Sequence, residues 1–281
     1  MVPTPDPLAT PDPAFVLGVL HETCDAVRAA LDATSDWGPA GTRPGQYRSD
    51  LAADAAALEV LSPHGWAVLS EESGITAPPA TALPVADLGV AAPGAAALRQ
   101  GMLVVIDPVD GSTNASRGIP WYATAVCAVD DEGPLVAVVC NQATGARFEA
   151  VRGGGARLDG LALAPSSCAD LSEALIGLTA WPRRNLGWRQ FRAMGAAALD
   201  ICAVAAGVTD GFLDCTPAGI HGVWDYLAAF LVCTEAGGVV GEAAGRDWMV
   251  RDPAERLAPV AAASPALLAE LVAAHAEHLR T

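Results

Sequence analysis

Apolar and polar positions along the chain fall into stretches of helical and of strand periodicity. Asp12-Pro13 supplies an N-cap and a proline suited to the first helical turn, and the helical pattern runs from there to about Leu31. A loop rich in Gly, Pro and Trp follows through Gly45. Ser49 to Leu61 then predicts a second helix, with Leu51, Ala55, Leu58 and Leu61 along one face. Trp66-Ala67-Val68-Leu69-Ser70 reads as a short strand that delivers Glu71 and Glu72. Gly74 to Gln100 is rich in alanine and proline without periodicity, and is expected to form a long, partly mobile surface loop. Val104-Val105-Ile106 is the β-branched run of a buried strand, and Pro108, with its fixed φ and no N–H, is expected to end or turn it. Trp121 to Val129 and Pro134 to Asn141 predict two strands joined by a hairpin turn over Asp130 to Gly133, and Arg147 to Val151 continues the meander.

The second half alternates the two periods. Ala174 to Thr179 predicts a strand, Gly195 to Ala206 a helix of small residues, and Val208 to Leu213 another strand. Val223 to Ala236 is an apolar helix closed by Gly237; Leu257 to Ala262 is the last strand; Ser264-Pro265 caps a terminal helix through Leu279. No internal repeat is present. The chain is α/β throughout. The expected organisation is a loose tail over 1–13, an α+β part over 14–165 and an α/β part over 166–281.

Composition narrows the partners. The 281 residues suffice for a large core. The net charge is −16, from 32 acidic and 16 basic residues, and every basic residue is arginine. That balance disfavours nucleic acid or an anionic membrane as a partner. No apolar stretch of about 20 residues predicts a membrane span. Met1 to Pro13 is proline-rich and acidic, unlike the start of a signal peptide. The 7 cysteines include no C-x-x-C pair and read as small core residues of a reducing, cytoplasmic compartment. Gly153-Gly154-Gly155 reads as a turn, because a phosphate-binding P-loop needs a lysine that this chain lacks.

The densest chemistry lies in Asp107-Pro108-Val109-Asp110-Gly111-Ser112-Thr113-Asn114. A bare Asp-Gly pair is an ordinary turn signal. Here, however, two carboxylates and the Val109 carbonyl converge at a strand end, a hard-oxygen set suited to Mg²⁺. Gly111 allows close approach of a ligand, and Ser112, Thr113 and their N–H groups form an anion nest. A cation site followed by a phosphate cradle points to phosphate chemistry.

The whole string resembles the signature of the inositol monophosphatase family, Asp-Pro-(Ile/Val)-Asp-Gly-(Thr/Ser)-Thr-Asn. Ser70-Glu71-Glu72-Ser73 is similar to the family's Gly-Glu-Glu-Ser, whose first glutamate bridges metals and polarises the attacking water; that glutamate maps to Glu71. Gly222-Val223-Trp224-Asp225, followed by an apolar helix and Glu235-Ala236-Gly237-Gly238, resembles the family's second metal-binding segment and implies Asp225 as a ligand. Met194 to Asp200 resembles the Gly-x-Ala helix that faces the substrate, which brings in Gly195 and Ala196. Asp214 lies where an acidic residue often contacts substrate hydroxyls, next to an apparent insertion over Cys215 to Gly219. Asp50-Leu51-Ala52-Ala53-Asp54 resembles a shortened Asp-x-Val-Thr-x-x-Asp run without its threonine, with Asp54 as the candidate for its last aspartate. Arg43 is the candidate for the place of an upstream lysine.

The resemblance spans roughly Asp50 to Gly238. It implies a layered α/β/α/β/α sandwich, a homodimer, and lithium-sensitive hydrolysis of a small phosphorylated metabolite with two or three Mg²⁺ ions. Inositol monophosphate is the leading substrate; fructose 1,6-bisphosphate, 3′-phosphoadenosine nucleotides and histidinol phosphate are alternatives, and a non-catalytic binding homologue is the rival. The implied metal ligands are Glu71, Asp107, Asp110, Asp225 and the Val109 carbonyl. Gly111, Ser112, Thr113, Gly195, Ala196 and Asp214 would hold phosphate and substrate; Glu71, Ser112 and Asp54 would serve catalysis. Asp107 and Asp110 stand three residues apart, whereas phosphatases that form an aspartyl-phosphate carry Asp-x-Asp. Direct attack by a metal-activated water, without a covalent intermediate, is therefore expected.

Overall fold

The computed structural model describes residues 11–41, 43, 45–76, 102–250 and 252–280. Most of the expected tail and of the expected surface loop, residues 1–10 and 77–101, lies outside the described residues. Asp12 caps the first helix through its Oδ1, which accepts the Ala14 N–H at 3.0 Å, and α1 spans Pro13–Ala33. Val16, Val19, Leu20, Cys24, Val27 and Leu31 form its buried stripe. α2 spans Arg48–Leu61, followed by β1 (Ala67–Ser70), β2 (Gly74–Thr76), β3 (Leu103–Asp110), α3 (Ser112–Arg117) and β4 (Ala123–Asp130). The meander continues through β5 (Gly133–Asn141), β6 (Arg147–Val151), β7 (Gly155–Leu158) and β8 (Leu161–Ala162). These strands make an 8-stranded sheet in the order β2-β1-β3-β4-β5-β6-β7-β8, in which β1 and β3 are parallel.

The second sheet is built from β9 (Leu175–Thr179), β10 (Gln190–Arg192), β11 (Gly211–Asp214), β12 (Val239–Glu242) and β13 (Pro259–Ala262). Its order is β10-β9-β11-β13-β12. α4 (Ala197–Ala205), α5 (Val223–Glu235) and α6 (Pro265–Arg280) complete the chain. β2, β7, β8, β10 and β12 are absent from the sequence expectation, because they are short and show no sustained alternation; β2 takes the first residues of the expected loop, Gly74–Thr76, into the sheet beside β1. The strand expected from Val208 starts only at Gly211, and Val208 itself is 64% exposed after α4. Gly154 donates to the Val151 carbonyl at 2.7 Å, so the glycine run is the turn its composition suggested.

The period of the strands sets the layers. Val68, Val104, Ile106, Val126 and Val138 face the α1–α2 side, in one core with Val16, Leu20, Val27, Ala57 and Leu61. Their neighbours Leu69, Leu103, Val105, Cys127 and Val139 face the other way, against α4, α5 and the inner face of the second sheet. Ile176, Leu178, Leu213 and Val260 pack under α6 through Leu267 and Leu271. The result is the layered α/β/α/β/α architecture.

One expectation needs correction, and the correction places the site. Pro108 does not end β3. The strand continues to Asp110 with a shift of register: Asp107 stands opposite Ala125 and Asp110 opposite Ala123, three steps on one strand against two on the other. Two strand residues three apart normally point to opposite faces; the extra residue of this bulge lets both carboxylates face the same way. Pro108 has no N–H to lose there, and the Thr124 hydroxyl donates to its carbonyl at 2.8 Å.

Candidate active site

Three chain segments bring carboxylates together. Parallel pairing sets Ser70 beside Ile106, and the Glu71 N–H extends it by donating to the Ile106 carbonyl at 3.2 Å, so Glu71 leaves β1 alongside Asp107. Asp225 comes from the first turn of α5, where its Oδ2 accepts the Gly222 N–H at 2.7 Å. Oxygens of Glu71, Asp107 and Asp225 all lie within 4.8 Å of one another. Burial pushes the Asp107 carboxyl well above the usual carboxylate range, and the charges of Glu71, Asp110 and Asp225 push the same way. Burial and then the Asp225 and Glu72 charges push Glu71 up to about 8, against the Arg43 charge. Burial raises Asp225 as well, in opposition to His221.

Asp110 stands beside this triad, and its carboxylate is taken up by α4. Its Oδ1 accepts the Ala197 N–H at 3.3 Å and its Oδ2 the Ala198 N–H at 2.7 Å. Burial and the Asp225 charge still raise its pKa. The Val109 carbonyl accepts the Ser112 hydroxyl at 2.8 Å, and the Val109 N–H donates to Asp107 Oδ1 at 2.9 Å. Gly111 takes a φ of +87°, and a Cβ there would meet Ala196 Cβ at 3.1 Å and the Gly195 carbonyl at 3.2 Å. The expected substrate-side segment Gly195-Ala196 is thus packed directly on the expected phosphate turn. Asn114 fastens the two, donating to the Trp121 carbonyl at 2.8 Å and to the Met194 carbonyl at 2.7 Å.

Two assignments made from the sequence change. Asp54 is buried behind the Glu71 turn, where it accepts the Ser70 hydroxyl at 2.5 Å and the Ser73 hydroxyl at 3.4 Å. It steadies the residues on either side of Glu71-Glu72, and Ser70 stands in place of the family's glycine as its partner. The carboxyl beside Ser112 is Asp50, four residues earlier; burial pushes it up to about 6, against the Tyr47 N–H that donates to it at 2.9 Å. The shortened run hides this in the sequence, because it offers two carboxylates four residues apart and its spacing does not select between them.

Asp214 is the second change. It is 0% exposed, and both its oxygens are occupied, Oδ1 by the Thr216 N–H at 2.8 Å and Oδ2 by His221 Nδ1 at 2.9 Å. A carboxylate so enclosed does not contact substrate hydroxyls. Its partner His221 was missed, because the contact spans the Cys215–Gly219 insertion and has no local pattern. Burial alone would lower the pKa of His221; the Asp214 hydrogen bond and the Asp225 and Asp110 charges outweigh it, and the pKa rises. Arg43 does reach the site: its guanidinium lies 2.8 Å from Glu72 and 3.8 Å from Glu71, and it donates to the Glu71 carbonyl at 3.0 Å.

Comparison with known proteins gives this geometry a setting. The profile described as the inositol monophosphatase family matches residues 63–280. The chain is 32% identical over 221 residues to the fructose-1,6-bisphosphatase/inositol-1-monophosphatase of Archaeoglobus fulgidus, covering 76% of this chain and 77% of that protein. It is 30% identical over 242 residues to the Nus factor SuhB of Escherichia coli K12, covering 80% and 79%. The inositol monophosphatase structure from Anabaena (Nostoc) sp. PCC 7120 shares the fold with a TM-score of 0.71 at 23% identity, over 94% of this chain and 96% of that one.

Proposed function

The chain belongs to the inositol monophosphatase family, and from that premise we propose that it hydrolyses a small phosphate monoester using Mg²⁺ held by Glu71, Asp107 and Asp225. The observation that carries this reading is the meeting of these three carboxylates, with oxygens within 4.8 Å. The donor set is all oxygen, which suits a hard divalent cation. Three carboxyls with raised pKa values in one buried site also call for positive charge before they ionise together. When bound, Mg²⁺ supplies that charge, shields the phosphate and acidifies the attacking water.

The remaining steps belong to the chain. The Ser112 hydroxyl has one proton and two acceptors in reach, the Val109 carbonyl and the Asp50 carboxyl. When that proton goes to Asp50, the Ser112 oxygen is free to accept a proton from the attacking water and to aim it with Glu71. Asp50 therefore takes the role that the sequence alone gave to Asp54. Thr113 and the N–H groups after Gly111 bind phosphate oxygens; Asp110 and the Val109 carbonyl, the other two ligands the resemblance implies, stand beside the triad and here accept the Ala197 and Ala198 N–H groups and the Ser112 hydroxyl. Arg43 orients Glu71 and Glu72 in place of the family's lysine.

Inositol monophosphate is the proposed substrate, and fructose 1,6-bisphosphate, which the name of the Archaeoglobus relative includes, is the nearest alternative. The non-catalytic reading rests on the shortened Asp50–Asp54 segment and on the Nus-factor name of one relative; the Asp50 carboxyl beside Ser112 argues against it. The reducing, cytoplasmic setting rests on the cysteine pattern of the sequence, 7 residues without a C-x-x-C pair. The test is phosphate release from inositol monophosphate, fructose 1,6-bisphosphate, 3′-phosphoadenosine 5′-phosphate and histidinol phosphate, each with Mg²⁺, with lithium, and with excess EDTA. Release is expected with Mg²⁺ only, greatest for inositol monophosphate and suppressed by lithium. Undiminished turnover in EDTA would remove the metal from the reaction, and no release from any substrate would leave the binding homologue.

A further inference from the structure

Tyr47 is the residue immediately before α2, in the segment where this chain departs most from the family pattern. Its main-chain N–H and its phenol point to two different parts of the site. The main-chain N–H donates to Asp50 Oδ2 at 2.9 Å, and Asp50 lies against the Ser112 hydroxyl. The phenol oxygen stands 3.3 Å from Thr113 Oγ1 and is also within hydrogen-bond reach of the Ser116 hydroxyl, one turn further along α3. Ser112 and Thr113 are consecutive, so one residue holds the carboxyl behind the first hydroxyl and the partner of the second.

We propose that Tyr47 is a positioning residue for the phosphate cradle, fixing Asp50 through its main chain and Thr113 through its phenol. The inference rests on the phosphatase reading, in which Thr113 binds a phosphate oxygen. A phenol is the more acidic of the two hydroxyls and so the better donor. With Tyr47 donating to Thr113 Oγ1, the proton of Thr113 is left to point at an anion, and a side chain that would otherwise rotate freely is held in one orientation. The Tyr47–Thr113 pair faces solvent, where a phosphate would enter.

The experiment is a titration of the full chain with inorganic phosphate in saturating Mg²⁺, on the wild type, Tyr47→Phe, Thr113→Val, the double variant, and Tyr47→Phe combined with Thr113→Ser. Tyr47→Phe is expected to weaken phosphate binding about three- to tenfold, the worth of the neutral hydrogen bond to Thr113, and the Thr113 backgrounds separate that bond from the one to Ser116. In the Thr113→Val background the same substitution should have no further effect on Kd. With Thr113→Ser, which keeps the hydroxyl, its effect should return. Phosphate binding by the wild type with an unchanged Kd in Tyr47→Phe would overturn this role while leaving the phosphatase reading intact. An equal loss in the Thr113→Val background would do the same. Absence of phosphate binding by the wild type would overturn both.

Discussion

Two regions bury carboxylates in opposite ways. Glu242, at the end of β12, has a side chain with 0% exposure. Its oxygens accept five donors: the N–H groups of Ala244, Arg246 and Ala258, and Nε and Nη2 of Arg246, at 2.7–3.2 Å. Burial works against ionisation there, yet the Arg246 and backbone hydrogen bonds win and hold the pKa below its ordinary value. In the Glu71–Asp107–Asp225 triad burial raises all three pKa values, with like charge adding to it at Glu71 and Asp107 and His221 opposing it at Asp225. Glu242 is furnished from within the protein and locks a loop. The triad is short of donors and gains them only from outside, which is the mark of a ligand site.

Asp107→Asn and Asp225→Asn separate the two regions most sharply. Each removes one oxygen donor and should lower kcat by several orders of magnitude, measured by phosphate release at saturating Mg²⁺. In EDTA the same variants should be as stable as the wild type or more so, because each removes a like charge from a buried cluster. Mg²⁺ at a hundredfold excess over its Kd should stabilise the wild type by about 2.7 kcal/mol, and the variants by less. Near-normal kcat in Asp225→Asn, or a metal-free protein destabilised by either change, would mean that the triad is structural in the manner of Glu242.

Glu242→Ala is the converse case. It leaves the buried Ala258 N–H and the part-buried Ala244 and Arg246 N–H groups without their acceptor, and the expected loss is about 2 kcal/mol, a fall of roughly 4–8 °C in Tm. The fall should be the same with Mg²⁺ and with EDTA, and the activity of the protein that remains folded should be near normal. A fall that Mg²⁺ abolished would connect Glu242 to the site and dissolve the contrast.

The sequence carried the triad because each member lies in a short continuous string: Asp107 in the Asp-Pro-Val-Asp turn, Glu71 after a strand, Asp225 at a helix start. Its register was less legible. That Asp107 and Asp110 face one way depends on a bulge against β4, which is a property of the pair of strands. Asp50 was passed over for Asp54 because spacing along a shortened helix does not say which carboxyl turns toward Ser112 and which toward Ser70. The Asp214–His221 contact joins two sides of an insertion, and no periodicity marks it. Strand and helix periods gave the elements, and the family resemblance implied their layering; the short edge strands β8 and β10 lacked enough residues to show a period.

Asp200 lies between the two extremes and gives the finest test. It is buried in α4, where it accepts the Trp121 indole N–H at 2.8 Å and the Gly195 N–H, fewer donors than Glu242 has. Burial outweighs them and pushes its carboxyl up to about 7. A carboxyl whose pKa is higher folded than unfolded binds its proton more tightly in the folded chain. Its contribution to stability is therefore full below about 3.9, the unfolded value, and is lost as pH rises through about 7. Asn at this position keeps an oxygen for the Trp121 N–H and carries no charge at any pH. Asp200→Asn should accordingly come closest to the wild type at about pH 4, gain on it steadily up to about pH 7, and exceed it by a few degrees at pH 8. The difference between the two proteins cancels any contribution of the triad to the pH dependence, so the measurement is a pair of Tm curves from pH 4 to 8 in one buffer series. Parallel curves would place Asp200 with Glu242, ionised and fully supported; curves that separate as pH rises would show that two N–H donors are too few to hold a buried charge, and that the triad, with fewer still, needs its cation.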